Sequence, residues 1–150
     1  MPSNQRPDPP LTPESVTHLI DDAFPGIHAA GRIVVIESVA DLTARVRLKL
    51  DQRNIRPGGT ISGPAMFMLA DFAIYVALIA TLGAPAISAV TSNLNINFLL
   101  RPEPRDLIAE ARVIRLGRRL AYAEVHISAD GETAVLAHAT GSYALFPGRS

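Results

Sequence analysis

Asp71 is the residue best placed to do chemistry, because it lies alone among apolar residues. It is the only charged residue in the segment 65–80. A buried carboxylate is costly unless it is paired, hydrogen-bonded or protonated, so an acid kept at such a position invites a chemical explanation. One alternative stays open, in which Asp71 is a structural acid satisfied by backbone N–H groups or by an arginine across a subunit interface.

The same segment begins with an element that could bind an anion. Ser62-Gly63-Pro64 is typical of a helix start, with proline in the first turn. The free backbone N–H groups of a helix N-terminus attract negative charge. An acid and such a helix end on one segment are the parts of a hydrolytic site. Ser62 also fits the simpler role of N-cap, which we favour over a ligand contact.

The spacing of apolar residues predicts the elements that position this segment. Residues 11–24 form an amphipathic helix with Thr12 as N-cap and Pro13 at its first position. Residues 42–50 alternate strictly, as in a half-buried antiparallel strand. A Gly/Pro-rich loop then leads to the long apolar helix, which ends at Gly83 and Pro85. The remaining predicted strands are 33–36, 87–99, 107–116, 120–128 and 133–146.

This order of elements predicts an α+β fold in which an antiparallel sheet wraps around a central helix. A helix that is apolar all round and a sheet with one apolar face each need the other for burial. We expect one domain over residues 11–150, preceded by a flexible, proline-rich tail over residues 1–10. Asn93, Asn95 and Asn97 are poor strand formers, so we expect another subunit to hold their strand.

Composition argues against several classes of function. Fourteen basic and fourteen acidic residues balance, which disfavours nucleic acid and anionic membrane surfaces as partners. The chain has no cysteine, which fits a cytoplasmic location and excludes thiolate catalysis. Its four histidines show no metal-ligand spacing, so we expect neither metal nor cofactor.

The apolar helix is slightly short for a membrane span, and Asp71 would oppose insertion, so we expect a soluble core helix.

Several motifs, in order and spacing, resemble the hotdog-fold acyl-CoA thioesterases of the phenylacetic-acid-degradation (PaaI-like) family. The family's helix entry and its Leu-Ala-Asp are matched by SGPAMFMLADFA at residues 62–73. Its strand ending in Phe-Leu-Arg-Pro is matched by NINFLLRP at 95–102. The following strand and hairpin are matched by DLIAEA at 106–111 and LGRR at 116–119. The resemblance covers about residues 41–146 and implies a hotdog fold with thioesterase activity.

The resemblance also implies roles for particular residues. Asp71 matches the general base or nucleophile, Gly63 the residue whose N–H polarises the thioester carbonyl, and Thr91 a residue that positions the attacking water. Asn54 corresponds loosely to a loop Asn or Gln. The family's motif His and second Gly are Ser62 and Pro64 here, which bears on substrate orientation more than on reaction type. Thr91 is equally compatible with an ordinary strand position.

A length argument predicts that the site is shared between subunits. Gly63 and Asp71 are eight positions apart, so they lie ~12 Å apart along one helix. Both must approach one thioester group within about 3 Å. One chain cannot supply both, so we expect an obligate homodimer with acyl-CoA as its ligand, and possible pairing of dimers into a tetramer.

Other residues are candidates for holding the substrate. Arg118 and Arg119 at a predicted hairpin are the best candidates for the coenzyme A phosphates, within an arginine-rich stretch over residues 101–119. They also fit the simpler role of charged sheet-edge residues. Met66, Phe67 and Met68 are predicted to be core or acyl-pocket residues, with the core favoured, and Met68 is the one assigned to the substrate.

The leading hypothesis is hydrolysis of an aryl- or medium-chain acyl-CoA. Two alternatives remain: a non-catalytic acyl-CoA binding protein or sensor, and a hotdog dehydratase or hydratase. The dehydratase chemistry normally pairs a histidine with the acid, and no histidine is placed for it. A carboxylate beside a thioester assists hydrolysis but not binding, which disfavours the sensor.

Overall fold

A computed structural model describes residues 5–146 and contains one six-stranded antiparallel sheet with a long helix on its inner face. The strand order is β1-β2-β4-β5-β6-β3. Short 3₁₀ helices cover Gln52–Asn54 and Ala84–Ser88. The helices and strands are α1 (Pro13–Ala23), β1 (Val34–Ala40), β2 (Thr43–Leu48), α2 (Gly63–Leu82), β3 (Val90–Phe98), β4 (Leu107–Leu116), β5 (Leu120–Ala129) and β6 (Val135–Ala144). The predicted α+β hotdog architecture is confirmed.

The short helix α1 begins and packs as predicted. Thr12 and Ser15 form a capping box, in which each side chain accepts a hydrogen bond from the other residue's backbone N–H. Val16 and Ile20 are its buried residues. Of the predicted tail, residues 1–4 lie outside the described part of the chain. Arg6 from the same tail donates a hydrogen bond to Asp41 at 2.6 Å.

The central helix α2 is held close to the sheet by small residues. The sheet's inner face alternates in the predicted way, and many of its buried side chains are alanines: Ala109, Ala111, Ala121, Ala123, Ala137 and Ala139. By length and composition α2 is a candidate membrane span, but 67% of its most apolar window is buried inside the protein. This burial is typical of a core helix.

The structure corrects the expectation that α2 is enclosed all round. Phe67 and Met68 are 41% and 38% exposed, so the prediction of a core position is wrong for them and right only for Met66. With Pro64, Asp71 and the half-buried residues Phe72 and Tyr75 they form an open stripe at helical spacing. The sheet covers one side of the helix and leaves this stripe uncovered.

The strand β3 lies at the edge of the sheet beside this open stripe. Its only partner among the described residues is β6, so its other edge is unpaired in the single chain. Asn93, Asn95 and Asn97 are exposed along it. Apolar side chains are exposed at both of its ends, including Val90 at 50% and Phe98 at 51%. An edge with this composition is a ready surface for pairing with another chain.

We expect Gly141→Ala to lower the free energy of unfolding by about 1–3 kcal/mol, the usual cost of overpacking. A methyl group at Gly141 would come within 2.7 Å of Leu94 Cδ1 and 3.0 Å of the Asn93 carbonyl oxygen. The measurement is urea unfolding at one fixed protein concentration. Thr140→Ala, on the outward side of the same strand, is the matched control and should cost less. Equal stability of Gly141→Ala and wild type would contradict the close packing described here.

Candidate active site

The Asp71 carboxylate lies in the open stripe of α2 and is held by two hydroxyl groups. Its Oδ1 accepts hydrogen bonds from Thr91 Oγ1 at 2.8 Å and from the Tyr143 hydroxyl at 2.6 Å. Thr91 on β3 and Tyr143 on β6 are directly opposite each other in the strand register. Asp71 is therefore half-buried and hydrogen-bonded rather than fully buried. The structure brings the predicted Asp71 and Thr91 into contact.

Tyr143 is the residue that the sequence analysis missed. It is 4% exposed, and its hydroxyl lies 2.9 Å from the Asp71 main-chain oxygen as well as 2.6 Å from Oδ1. Burial raises the pKa of the Tyr143 phenol, and its hydrogen bond to Asp71 raises it further, so the hydroxyl stays protonated and donates. The alternation of β6 could have indicated this residue. Its inward-facing positions are Ala137, Ala139, Gly141 and Tyr143, so one large aromatic side chain follows three small residues on the face that meets the helix.

The two hydroxyl groups leave one carboxylate oxygen available. Oδ2 of Asp71 accepts no hydrogen bond from the residues the structure describes, whereas Oδ1 accepts two. Oδ1 is therefore fixed in position, and Oδ2 can accept a hydrogen bond from a water. A positioned carboxylate with one free oxygen has the geometry required of a general base or a nucleophile.

An apolar cavity of about 360 Å³ opens beside Asp71. Residues of α2 line one side of the cavity, and residues of the connection between α1 and β1 line another. Tyr75 stacks on Tyr143 with ring centroids 6.2 Å apart, and its hydroxyl donates to the Ile87 carbonyl oxygen. The predicted substrate residue Met68 lines this cavity, together with Ile27, Ile33, Val34, Phe72 and Tyr75. The structure thus brings Met68, Asp71 and an acyl-sized apolar space together.

The N-terminus of α2 lies in a different cavity, of about 800 Å³. Gly63 and Pro64 line it, and no residue lines both this cavity and the one beside Asp71. A Cβ atom on Gly63 would lie 3.3 Å from the Phe98 ring, so glycine permits the close approach of that ring. Within one chain, Gly63 and Asp71 therefore line separate cavities, as the length argument predicts.

Ser62 and Asn54 build the start of α2. Ser62 Oγ accepts a hydrogen bond from the Ala65 N–H at 3.2 Å, so Ser62 is the N-cap. The Ser62 N–H in turn donates to the Asn54 carbonyl oxygen at 2.7 Å. The Gly63 N–H belongs to the first turn, where N–H groups have no acceptor within the helix. The buried Nδ2 of Asn54 makes no hydrogen bond to the described residues, which leaves a spare donor in this region.

The arginines predicted to bind the coenzyme A phosphates are not the ones that line the cavity of Gly63. Arg118 and Arg119 are exposed at the β4–β5 hairpin and line neither of the two cavities. Arg56 and Arg101 line the cavity that contains Gly63, and Arg101 donates to the Gly58 carbonyl oxygen at 3.0 Å. Arg56 lies outside the stretch that the sequence analysis selected. The cations that accompany the helix N-terminus in the single chain are thus Arg56 and Arg101.

Comparisons with known proteins agree with this architecture. A family model described as the thioesterase superfamily matches residues 58–136, from the approach to α2 through β5. A protein named "Putative esterase" from Halobacterium salinarum is 33% identical over 122 residues, and the match covers 75% of this chain and 80% of that protein. The chain therefore belongs to the thioesterase superfamily and is a thioester hydrolase.

Two solved structures extend the comparison. The crystal structure of a "putative thioesterase" from Silicibacter sp. TM1040 has a TM-score of 0.80 and 32% identity, covering 97% of this chain and 96% of that one. A mutant structure of the phenylacetic acid degradation protein PaaI from Thermus thermophilus has a TM-score of 0.62 and 21% identity, covering 75% and 93%. At that identity the second likeness shows the fold alone. The predicted hotdog thioesterase family is confirmed.

We expect Tyr143→Phe to leave the fold intact and to lower the rate of hydrolysis. The variant loses one of the two donors that fix Asp71 Oδ1, and misplacement of a reacting group by about 1 Å can cost on the order of 10²-fold in rate. The matched control is Tyr122→Phe, at an exposed tyrosine on β5. An unchanged rate of hydrolysis would show that Tyr143 only packs.

Proposed function

We propose that the protein is an acyl-CoA thioesterase that hydrolyses an aryl- or medium-chain acyl-CoA to the free acid and CoA. The observation that carries the proposal is the Asp71 carboxylate with one fixed and one free oxygen beside an apolar cavity. The apolar lining suits an acyl group, and the free oxygen suits a water. A sensor that only binds acyl-CoA has no need for this carboxylate, which places that alternative second.

The reaction follows from these groups. Asp71 takes a proton from water as the oxygen adds to the thioester carbonyl carbon, and Thr91 helps to fix the position of the reacting groups. The oxyanion of the tetrahedral intermediate accepts a hydrogen bond from the Gly63 N–H of the partner subunit. Collapse breaks the C–S bond, and the proton goes to the departing sulfur, which gives a carboxylic acid and a thiol. Direct attack by Asp71 to give an anhydride is the alternative course.

A homodimer is proposed because a second copy of the chain could cover the surfaces next to Asp71 that a single chain leaves open. The open stripe of α2 and the unpaired edge of β3 are neighbours and are both apolar in part. A two-fold axis beside β3 would pair its edge with that of a second copy in the antiparallel direction. The same axis would set the two α2 helices side by side. Gly63 of one chain would then approach Asp71 of the other.

The coenzyme A moiety is proposed to enter along the α2 N-terminus. Arg56 and Arg101 share the cavity of Gly63, so they would meet phosphates on the same side as the polarising amide. Arg118 and Arg119 remain candidates that would have to reach a site from the hairpin.

Pairing of dimers into tetramers and a cytoplasmic location also remain proposals; the absence of cysteine fits the latter.

The first experiment is a panel of acyl-CoA thioesters with release of the thiol monitored. We expect hydrolysis by the wild type and a loss of about 10²–10⁴-fold in Asp71→Asn, the usual range for a general base. Asp22→Asn, at an exposed acid on α1, is the matched control and should keep wild-type activity. Turnover by Asp71→Asn at the wild-type rate would refute the assignment. Tight binding without turnover would instead support a sensor, and hydration of a double bond would support a hydratase.

Mixing two inactive variants tests whether the site is shared. Asp71→Ala lacks the carboxylate, and Gly63→Pro lacks the polarising N–H. In a mixed dimer one of the two sites combines Asp71 from one chain with Gly63 from the other. Random mixing should therefore restore about a quarter of wild-type activity per chain, because half of the dimers are mixed and each has one intact site.

The control for this experiment is size-exclusion chromatography of each variant alone, which establishes that both still dimerise. Recovery of activity on mixing supports the shared site. No recovery, with mixed dimers demonstrated, would place both groups in one chain and contradict the mechanism.

A further inference from the structure

A cluster of potential metal ligands lies on the outer face of the sheet. His126 on β5 and His138 on β6 are directly opposite in the register, with ring centroids 4.8 Å apart. Glu124 precedes His126 by two positions, so its side chain is on the same face. Glu124 Oε2 lies 3.2 Å from His138 Nε2. One ligand atom from each of the three residues falls within 4.8 Å of the other two.

One oxygen of the Glu124 carboxylate is available to coordinate a metal ion. Arg112 donates to Oε1 of Glu124 at 2.8 Å, while Oε2 faces His138. An ion could therefore bind Oε2 without displacing Arg112.

The neighbouring charges are compatible with a cation. On this face Glu37 accepts hydrogen bonds from Arg45 and Arg47, Glu110 from Arg45, and Glu124 from Arg112. Glu110 on β4 is opposite His126 in the register, which brings a second carboxylate beside the cluster. Among these six residues three acids balance three arginines, so they present no excess positive charge to a cation.

We propose that Glu124, His126 and His138 form a surface site for a divalent transition-metal ion of the zinc class. Imidazole nitrogens and a carboxylate oxygen are ligands that zinc prefers, at about 2.0–2.2 Å. Two ligands at that distance in a tetrahedral site are about 3.3 Å apart. The three donors would close by no more than about 1.5 Å, through side-chain rotation on strands that are already paired. The remaining positions of the ion would hold water.

This site is distinct from the candidate active site. His138 and Thr140 face outward on β6, whereas Ala139 and Tyr143 face the helix. A bound ion would link β5 to β6 on the side of the sheet away from Asp71. Its expected effect is to stabilise the pairing of these two strands, not to take part in hydrolysis.

The experiment is calorimetric titration of the metal-free, full-length protein with zinc chloride, followed by thermal and urea unfolding. We expect one saturable zinc ion per chain. At a free zinc concentration one hundred times the Kd, the unfolding equilibrium constant should fall about 100-fold. His138→Gln and Glu124→Gln should each weaken zinc binding at least about tenfold, the lower bound seen for loss of a metal's supporting partners.

The matched control is His18→Gln, at an exposed histidine on α1, which should bind zinc as the wild type does. Zinc affinity in His138→Gln equal to that of the wild type would overturn the proposal, as would an absence of saturable binding in the wild type. The readout is binding and unfolding, so the result does not depend on whether the protein hydrolyses thioesters.

Discussion

The structure depends on keeping one carboxyl group on a helix that is otherwise apolar. Asp71 is tolerated because two hydroxyl groups, from Thr91 and Tyr143, satisfy one of its oxygens. Those hydroxyl groups come from neighbouring strands, so the β3–β6 register is also the device that positions the acid. A shift of β3 by one residue relative to β6 would turn Thr91 to the opposite face, away from Asp71. The pairing at this sheet edge therefore also determines the hydrogen bonds that Asp71 accepts.

The same arrangement explains why the helix is left partly open. A carboxylate enclosed on every side would have no access to water, and a helix fully exposed would have no core. Placing the small residues of the sheet against one side of α2 solves the packing problem there. The other side carries Asp71 and the exposed Phe67 and Met68. One helix is thus divided into a packed side and an accessible side.

Much of this could be predicted from the sequence, and the exceptions have physical reasons. The alternation of apolar residues in the strands, and the residues that cap and end the helices, predicted every major element, because both are local features of the sequence. The open stripe was missed because a helix that is apolar all round carries no sign of which side the sheet covers. Tyr143 and the Glu124, His126 and His138 cluster were missed for a different reason. Their neighbours come from strand pairing, and spacing along the chain does not reveal which residues face each other across a ladder.

The wall of the cavity beside Asp71 has an evolutionary consequence. Ile27, His28, Ala30 and Gly31 belong to the connection between α1 and β1 and not to the sheet. Connections of this kind accept substitutions and length changes at little cost to the core. The size and polarity of the space offered to a ligand can thus diverge between relatives while the acid, its two hydroxyl partners and the alanine-lined core stay unchanged. Part of the surface offered to a ligand is therefore encoded outside the elements that form the core.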